Sequence, residues 1–153
     1  MIKTFNELLE FNVAATNWLQ KTPTNPQTKL GYALNKVGNN QVSDILKEFS
    51  KVRKDLYEEE VHNKQIDLAL TDKNTGAVLN APQGSKFPYI FDKDGLKQMA
   101  KIQSDYDEKL NAVFEEYKKK EYTIEPHYAV ELPEDLTAEE IAAFTGFVIA
   151  PTE

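Results

Sequence analysis

Between Gln27 and about Asn63 the apolar residues Val42, Ile45, Phe49, Val52 and Leu56 recur at steps of three and four. That is the seam of a helix packing lengthwise on other helices. A second stretch answers it: Leu96, Met99, Gln103, Tyr106, Leu110, Val113 and Tyr117 keep the same steps, with Gln103 the one polar interruption. The pattern predicts helices over about 27–63 and 94–120, joined through a compact insert into an antiparallel hairpin. Asn25 suits the N-cap of the first, with Pro26 at its opening position. Gly38-Asn39-Asn40 are three poor helix formers in a row and predict a kink or break there.

Two shorter helices flank this pair. The first covers about 4–20 and opens on Thr4 and Glu7, the Ser/Thr-x-x-Glu spacing of a capping box. Phe5, Leu8, Asn12, Ala15 and Leu19 form one stripe, and Leu9 and Val13 widen it. Phe11 and Trp18 lie seven apart on a different face. Either that face packs against another part of the chain, as a tryptophan generally does, or it anchors a partner. The second covers about 137–145. Thr137 and Glu140 make its capping box, Leu136 and Ile141 its hydrophobic staple, and Gly146 its end. Phe147-Val148-Ile149 then forms an apolar tail that either docks on the core or adds a strand to a neighbour.

The insert changes period. Ile66, Leu68 and Leu70 alternate with polar residues, Asp72 to Gly76 reads as a turn, and Ala77-Val78-Leu79 follows. Strands are predicted over about 66–71, 76–80 and 87–91, the last at an edge because of Pro88. Alternation returns over about 122–132. The fold class expected is α+β and mainly helical: an antiparallel long-helix hairpin with a small β-hairpin or antiparallel sheet at one end, in a single domain spanning 1–153.

Composition narrows the function classes. Charged residues are 28% and apolar residues 41%, which describes a globular chain. The chain has no cysteine, which excludes disulfides, cysteine-ligated zinc and thiol catalysis. Glu7 and Glu10 fall where a signal peptide would need an apolar run, and no run of apolar residues is long enough to span a bilayer. Neither a membrane partner nor direct nucleic-acid binding is expected, since no basic face is visible. The net charge of −7 is uneven: residues 133–153 hold Glu134, Asp135, Glu139, Glu140 and Glu153 with no Lys or Arg.

Candidate chemistry is sparse. Glu59 and His62 form a Glu-x-x-His pair, but di-iron bundles need two such pairs and two further carboxylates. The other histidine, His127, sits beside Pro126 in an extended stretch. No Gly-x-Ser-x-Gly elbow, Walker A loop or Gly-x-Gly-x-x-Gly is present. Asp72 to Gly76 lacks the ligand spacing and closing glutamate of a calcium loop. No catalytic residue, cofactor or metal ligand is assigned.

One ordered set of features resembles a known group: Glu7-Leu8-Leu9 in a short capped helix, Leu30-Gly31-Tyr32-Ala33-Leu34, a helix ending Lys51-Val52-Arg53-Lys54-Asp55-Leu56, a small hairpin, the Tyr106 to Glu116 helix, and Leu132-Pro133-Glu134-Asp135-Leu136-Thr137. Together these resemble short, uncharacterised proteins of tailed bacteriophages. The resemblance implies a context, the virion or the infected host cytoplasm, and no activity. The leading expectation is a non-enzymatic phage protein acting through protein–protein contacts, as a virion or connector component or an assembly factor. Its partners would be virion proteins or further copies of itself. The interaction residues named for it are Phe11, Trp18, Glu134, Asp135, Glu139, Glu140, Phe147 and Ile149. A second reading is an intracellular inhibitor of a host defence protein acting through the acidic C-terminal face. A third is a small enzyme, with Glu59, His62 and His127 its only distinctive participants.

Overall fold

The computed structural model describes residues 1–152. The chain is mainly helical α+β, with one small antiparallel two-stranded sheet. It divides into two compact units. The first comprises Met1–Phe49 with residues 115–152, and the second comprises Ser50–Phe114. The physical reason is that the insert builds a hydrophobic cluster of its own.

The first unit begins with β1 (Ile2–Thr4), paired antiparallel with β2 (Glu121–Thr123) in the register Ile2↔Thr123 and Thr4↔Glu121. Thr4 then caps α1 (Phe5–Lys21). Its hydroxyl accepts the Glu7 N–H at 3.2 Å, and the Glu7 carboxylate accepts the Thr4 N–H at 3.1 Å. The buried face of α1 is Phe5, Leu8, Phe11, Ala15 and Trp18. This corrects the expected stripe, because Phe11 and Trp18 go inward while Asn12 faces solvent. In a 3.6-residue period positions 11 and 12 flank the same direction, and the aromatic ring takes the buried place.

A turn at Asn25–Gln27 follows, and the Asn25 amide donates to the Trp18 carbonyl at 2.8 Å. Thr28, rather than Asn25, caps α2 (Lys29–Val37) by accepting the Gly31 N–H. Gly31 is required there because a Cβ would collide with the Asn25 carbonyl oxygen and the Pro26 backbone. The break expected at Gly38-Asn39-Asn40 is a widened helical turn over Gly38–Val42, closed by the Ser43 N–H on the Gly38 carbonyl, and α3 (Ser43–Tyr57) follows directly. One residue inserted into the helical ladder absorbs the poor helix formers without ending the helix. The core gathers Leu8, Phe11, Trp18, Leu30, Leu34 and Val37 with Ile124, Phe144, Phe147 and Val148. Phe11 stacks on Phe147 with ring centres 4.3 Å apart and meets Phe144 edge-on at 6.0 Å.

The apolar tail docks on this core: Phe147 and Val148 are buried, and their carbonyls accept the His127 and Ala129 N–H groups at 2.9 and 2.8 Å. The strand expected over 122–132 is therefore a ladder only at Glu121–Thr123, and the rest is extended chain held by the tail. α6 (Ala138–Phe144) carries its expected capping box at Thr137 and Glu140.

In the second unit the helical backbone passes through another widened turn, Glu58–His62, into α4 (Asn63–Leu68). The strand expected over 66–71 is thus helix as far as Leu68. The buried residues here are Val61, Gln65 and Ala69, four apart, which is a helical face. The three expected strands do converge, but each at one point. The Leu70 N–H donates to Ile90, Ile90 to Leu79 and Leu79 to Leu70, a closed ring of three backbone hydrogen bonds at 2.8–3.1 Å. Beyond it the Asp72 N–H donates to Ala77 and the Ala81 N–H to Pro88, both at 2.8 Å, around the single bridges Thr71↔Val78 and Asn80↔Tyr89, and neither 76–80 nor 87–91 is a regular strand. Pro82 and Pro88 lack the N–H groups that longer ladders need. The Asp72 carboxylate accepts the Asn74 and Thr75 N–H groups and shapes the turn to Gly76, whose φ is +72°. α5 (Lys93–Lys118) is capped by Asp92, which accepts the Gly95 N–H at 2.7 Å. Against it the small core closes on Val61, Phe91, Met99 and Tyr106.

Candidate functional site: an apolar groove between α1 and α6

Burying Phe5, Leu8, Phe11, Ala15 and Trp18 leaves the opposite flank of α1 uncovered. Leu9, Val13 and Ala14 on that flank line a groove of about 750 Å³ whose other wall is α6, through Ala142 and Ala143. Val13 is 58% exposed, so a β-branched residue in mid-helix has its side chain mostly in water. It is an open concavity in which apolar side chains from both helices are interleaved with Glu10, Asn17, Lys21, Thr137, Glu139 and Glu140.

The two walls of the groove are tied together at one end. Thr137 accepts the Glu140 N–H at 3.1 Å and the Glu140 carboxylate accepts the Thr137 N–H at 3.1 Å, which sets the start of α6. The same carboxylate meets the Lys21 ammonium, at 3.0 Å from each oxygen, and so ties the end of α1 to the start of α6. Burial alone raises the Glu140 pKa. The Thr137 N–H and Lys21 outweigh it, so the carboxyl lies below its ordinary value. Glu7 behaves alike at the other end of α1: burial raises it, and the Thr4 N–H and Lys3 bring it below the ordinary carboxylate value. The groove's rims carry Glu10 and Glu139, both exposed.

The residues named from sequence divide sharply on this geometry. Phe11, Trp18 and Phe147 are at most 2% exposed, so they hold the core together and offer a partner nothing. Ile149 is half-buried against the same core. Glu140 is consumed by its cap and its lysine. Glu134 and Asp135 are exposed and do not line the groove, while Glu139 does. Of the four carboxylates named for the acidic face, Glu140 is internally neutralised by Lys21, and among the described residues Glu134, Asp135 and Glu139 form no ion pair. Sequence reading missed Glu10, Ala14, Ala142 and Ala143. The available signal was Leu9 and Val13, two apolar residues outside the buried stripe.

The residues considered for chemistry do not share a unit. Glu59 and His62 belong to the second unit and His127 to the first. Among the described residues no group of three or more His, Asp or Glu side chains is arranged to hold a metal ion. His127 packs edge-on against Tyr32 at 5.7 Å. In the Glu58–His62 turn it is Glu60 that is engaged, accepting from Lys109 at 2.7 Å and Lys64 at 3.3 Å. Chiefly through Lys109, its carboxyl lies below the ordinary value. Among the described residues no helix is long and apolar enough to cross a membrane.

No family model matches the chain, and neither a curated protein nor a solved structure matches it.

Proposed function

We propose that the chain works by binding another protein through the α1–α6 groove, as a non-enzymatic virion component or assembly factor of a tailed phage. The observation that carries the reading is the groove itself: about 750 Å³ of space, lined by Leu9, Val13, Ala14, Ala142 and Ala143, its walls tied together at one end by Lys21 and Glu140. A partner that covers these apolar side chains recovers the hydrophobic free energy of removing them from water. The phage setting rests on the sequence resemblance.

A photo-crosslinking amino acid placed at Val13 during infection tests this, with one at Lys47 as control. Lys47 is exposed and does not line the groove. The reading expects a crosslink to a capsid, portal or tail protein from Val13 and not from Lys47. Equal yields from both positions, or a Val13 crosslink to a host enzyme alone, would overturn it.

A further inference from the structure

We propose that the occupant of the groove is a basic amphipathic helix of about three turns, contributed by another protein. This rests on the groove being the protein-binding site, and it specifies what binds there.

Three observations select that occupant. The first is the secondary structure of the walls. Both are helices whose backbone groups are already paired, so no sheet edge is offered to an extended strand. The remaining common mode is a helix laying its apolar face into a groove, with anchors at helical spacing. The second is the size of the floor. Ala14, Ala142 and Ala143 are small, which allows a helix axis to come close, since interaxial distance is set by the side chains at the contact. The wall from Leu9 to Lys21 runs roughly 18 Å, the length of about 12 helical residues. The third is charge. Lys21 and Glu140 neutralise each other, and among the described residues neither Glu10 nor Glu139 forms an ion pair. The free charge around the apolar floor is thus negative on both rims. A helix with lysine or arginine flanking its apolar face meets both carboxylates, while an acidic helix is repelled by both.

Fluorescence anisotropy at physiological salt tests the proposal with three labelled synthetic peptides of about 14 residues. One contains leucine and lysine with leucine at helical spacing. The second replaces lysine by glutamate. The third has the first one's composition with strict alternation of leucine and lysine, the strand period. The proteins are wild type, Val13→Arg, Ala142→Trp and the double variant Glu10→Gln/Glu139→Gln. Val13, Ala142, Glu10 and Glu139 are all exposed, so the fold is expected to survive, and circular dichroism checks that it does. The expected result is that wild type binds the first peptide alone. Val13→Arg and Ala142→Trp each weaken binding at least roughly tenfold by removing or filling the apolar contact. The double variant weakens it roughly threefold, and added salt does the same to wild type. Equal binding to wild type and Ala142→Trp would mean surface charge alone, and the proposal falls. It also falls if the glutamate or alternating peptide binds as well as the first, or if none binds. A groove-specific crosslink at Val13 together with failure here would leave the protein-binding reading standing and remove only the basic helix. Failure of the crosslink removes the protein-binding reading itself.

Discussion

The two units spend their apolar residues differently. In the first, thirteen buried side chains form one cluster that includes four aromatic rings, yet the unit still leaves Val13 and its neighbours uncovered. In the second, the buried cluster is five side chains, and its 63–92 segment is held by a ring of three backbone hydrogen bonds, by single bridges and by further turn hydrogen bonds such as Asp72–Ala77 and Ala81–Pro88. The difference teaches where to look for function. The second unit leaves Ile66, Leu70, Ile90 and Leu96 partly in water around a small core, so exposed apolar side chains there follow from its size. A unit with a full core that keeps a separate apolar groove open has a surface its own stability does not explain. It also predicts unequal local stability, since opening free energy follows buried apolar contact.

The largest effect belongs to the first unit's core. Phe11→Ala removes a fully buried ring stacked on Phe147 and is expected to cost about 3–5 kcal/mol, read as a fall in the urea midpoint. A loss below 1 kcal/mol would mean the core is not organised around that ring. In the second unit Met99→Ala, also fully buried, is expected to cost about 2–5 kcal/mol. Its signature is regional. Hydrogen exchange should accelerate across 63–92 while the α1 amides keep most of their protection. Uniform acceleration of both would break the comparison, because the chain would then unfold as a single cooperative body.

A smaller effect separates the groove from the core. Thr137→Ala removes the hydroxyl that accepts the Glu140 N–H and should cost about 1 kcal/mol in thermal unfolding, with a loosened α6. The smallest is pH dependence. The Glu7 and Glu140 carboxyls lie below their ordinary values in the folded chain, so their ionised forms stabilise it. That contribution is complete at neutral pH and is lost as pH falls below the ordinary carboxylate range of about 4.3. A Glu7→Gln/Glu140→Gln double variant should therefore show a shallower drop in melting temperature between about pH 5 and pH 3 than wild type. An unchanged drop would assign the acid sensitivity to other carboxylates.

How much of this was legible in the sequence depended on how local the cause was. The Thr4–Glu7 and Thr137–Glu140 capping boxes span four residues each, and both are present as read. So is the turn closed by Asp72 and Gly76. The mainly helical α+β class followed from long periodic stretches. The strand expected over 66–71 failed because the apolar residues were not the buried ones. Ile66 is 38% exposed, while Gln65 is 2% exposed beside Val61 and Ala69. Of the alternating residues Ile66 and Leu70 are exposed and only Leu68 packs on the small core, so the alternation did not mark a pleat. The orientation of α1 turned on whether position 11 or 12 faced inward, which Phe144 and Phe147, far along the chain, decide. The groove was illegible for the same reason, because its walls are some hundred and twenty residues apart in sequence. Only Leu9 and Val13 hinted at it.

The most direct test of the central claim is amide hydrogen exchange of the chain, free and with the helical lysine–leucine peptide bound. Added protection is expected in α1 around Glu10 to Asn17 and in α6, with the second unit unchanged. Added protection confined to Ser50–Phe114, or none in α6, would contradict that claim and move the binding surface away from the groove.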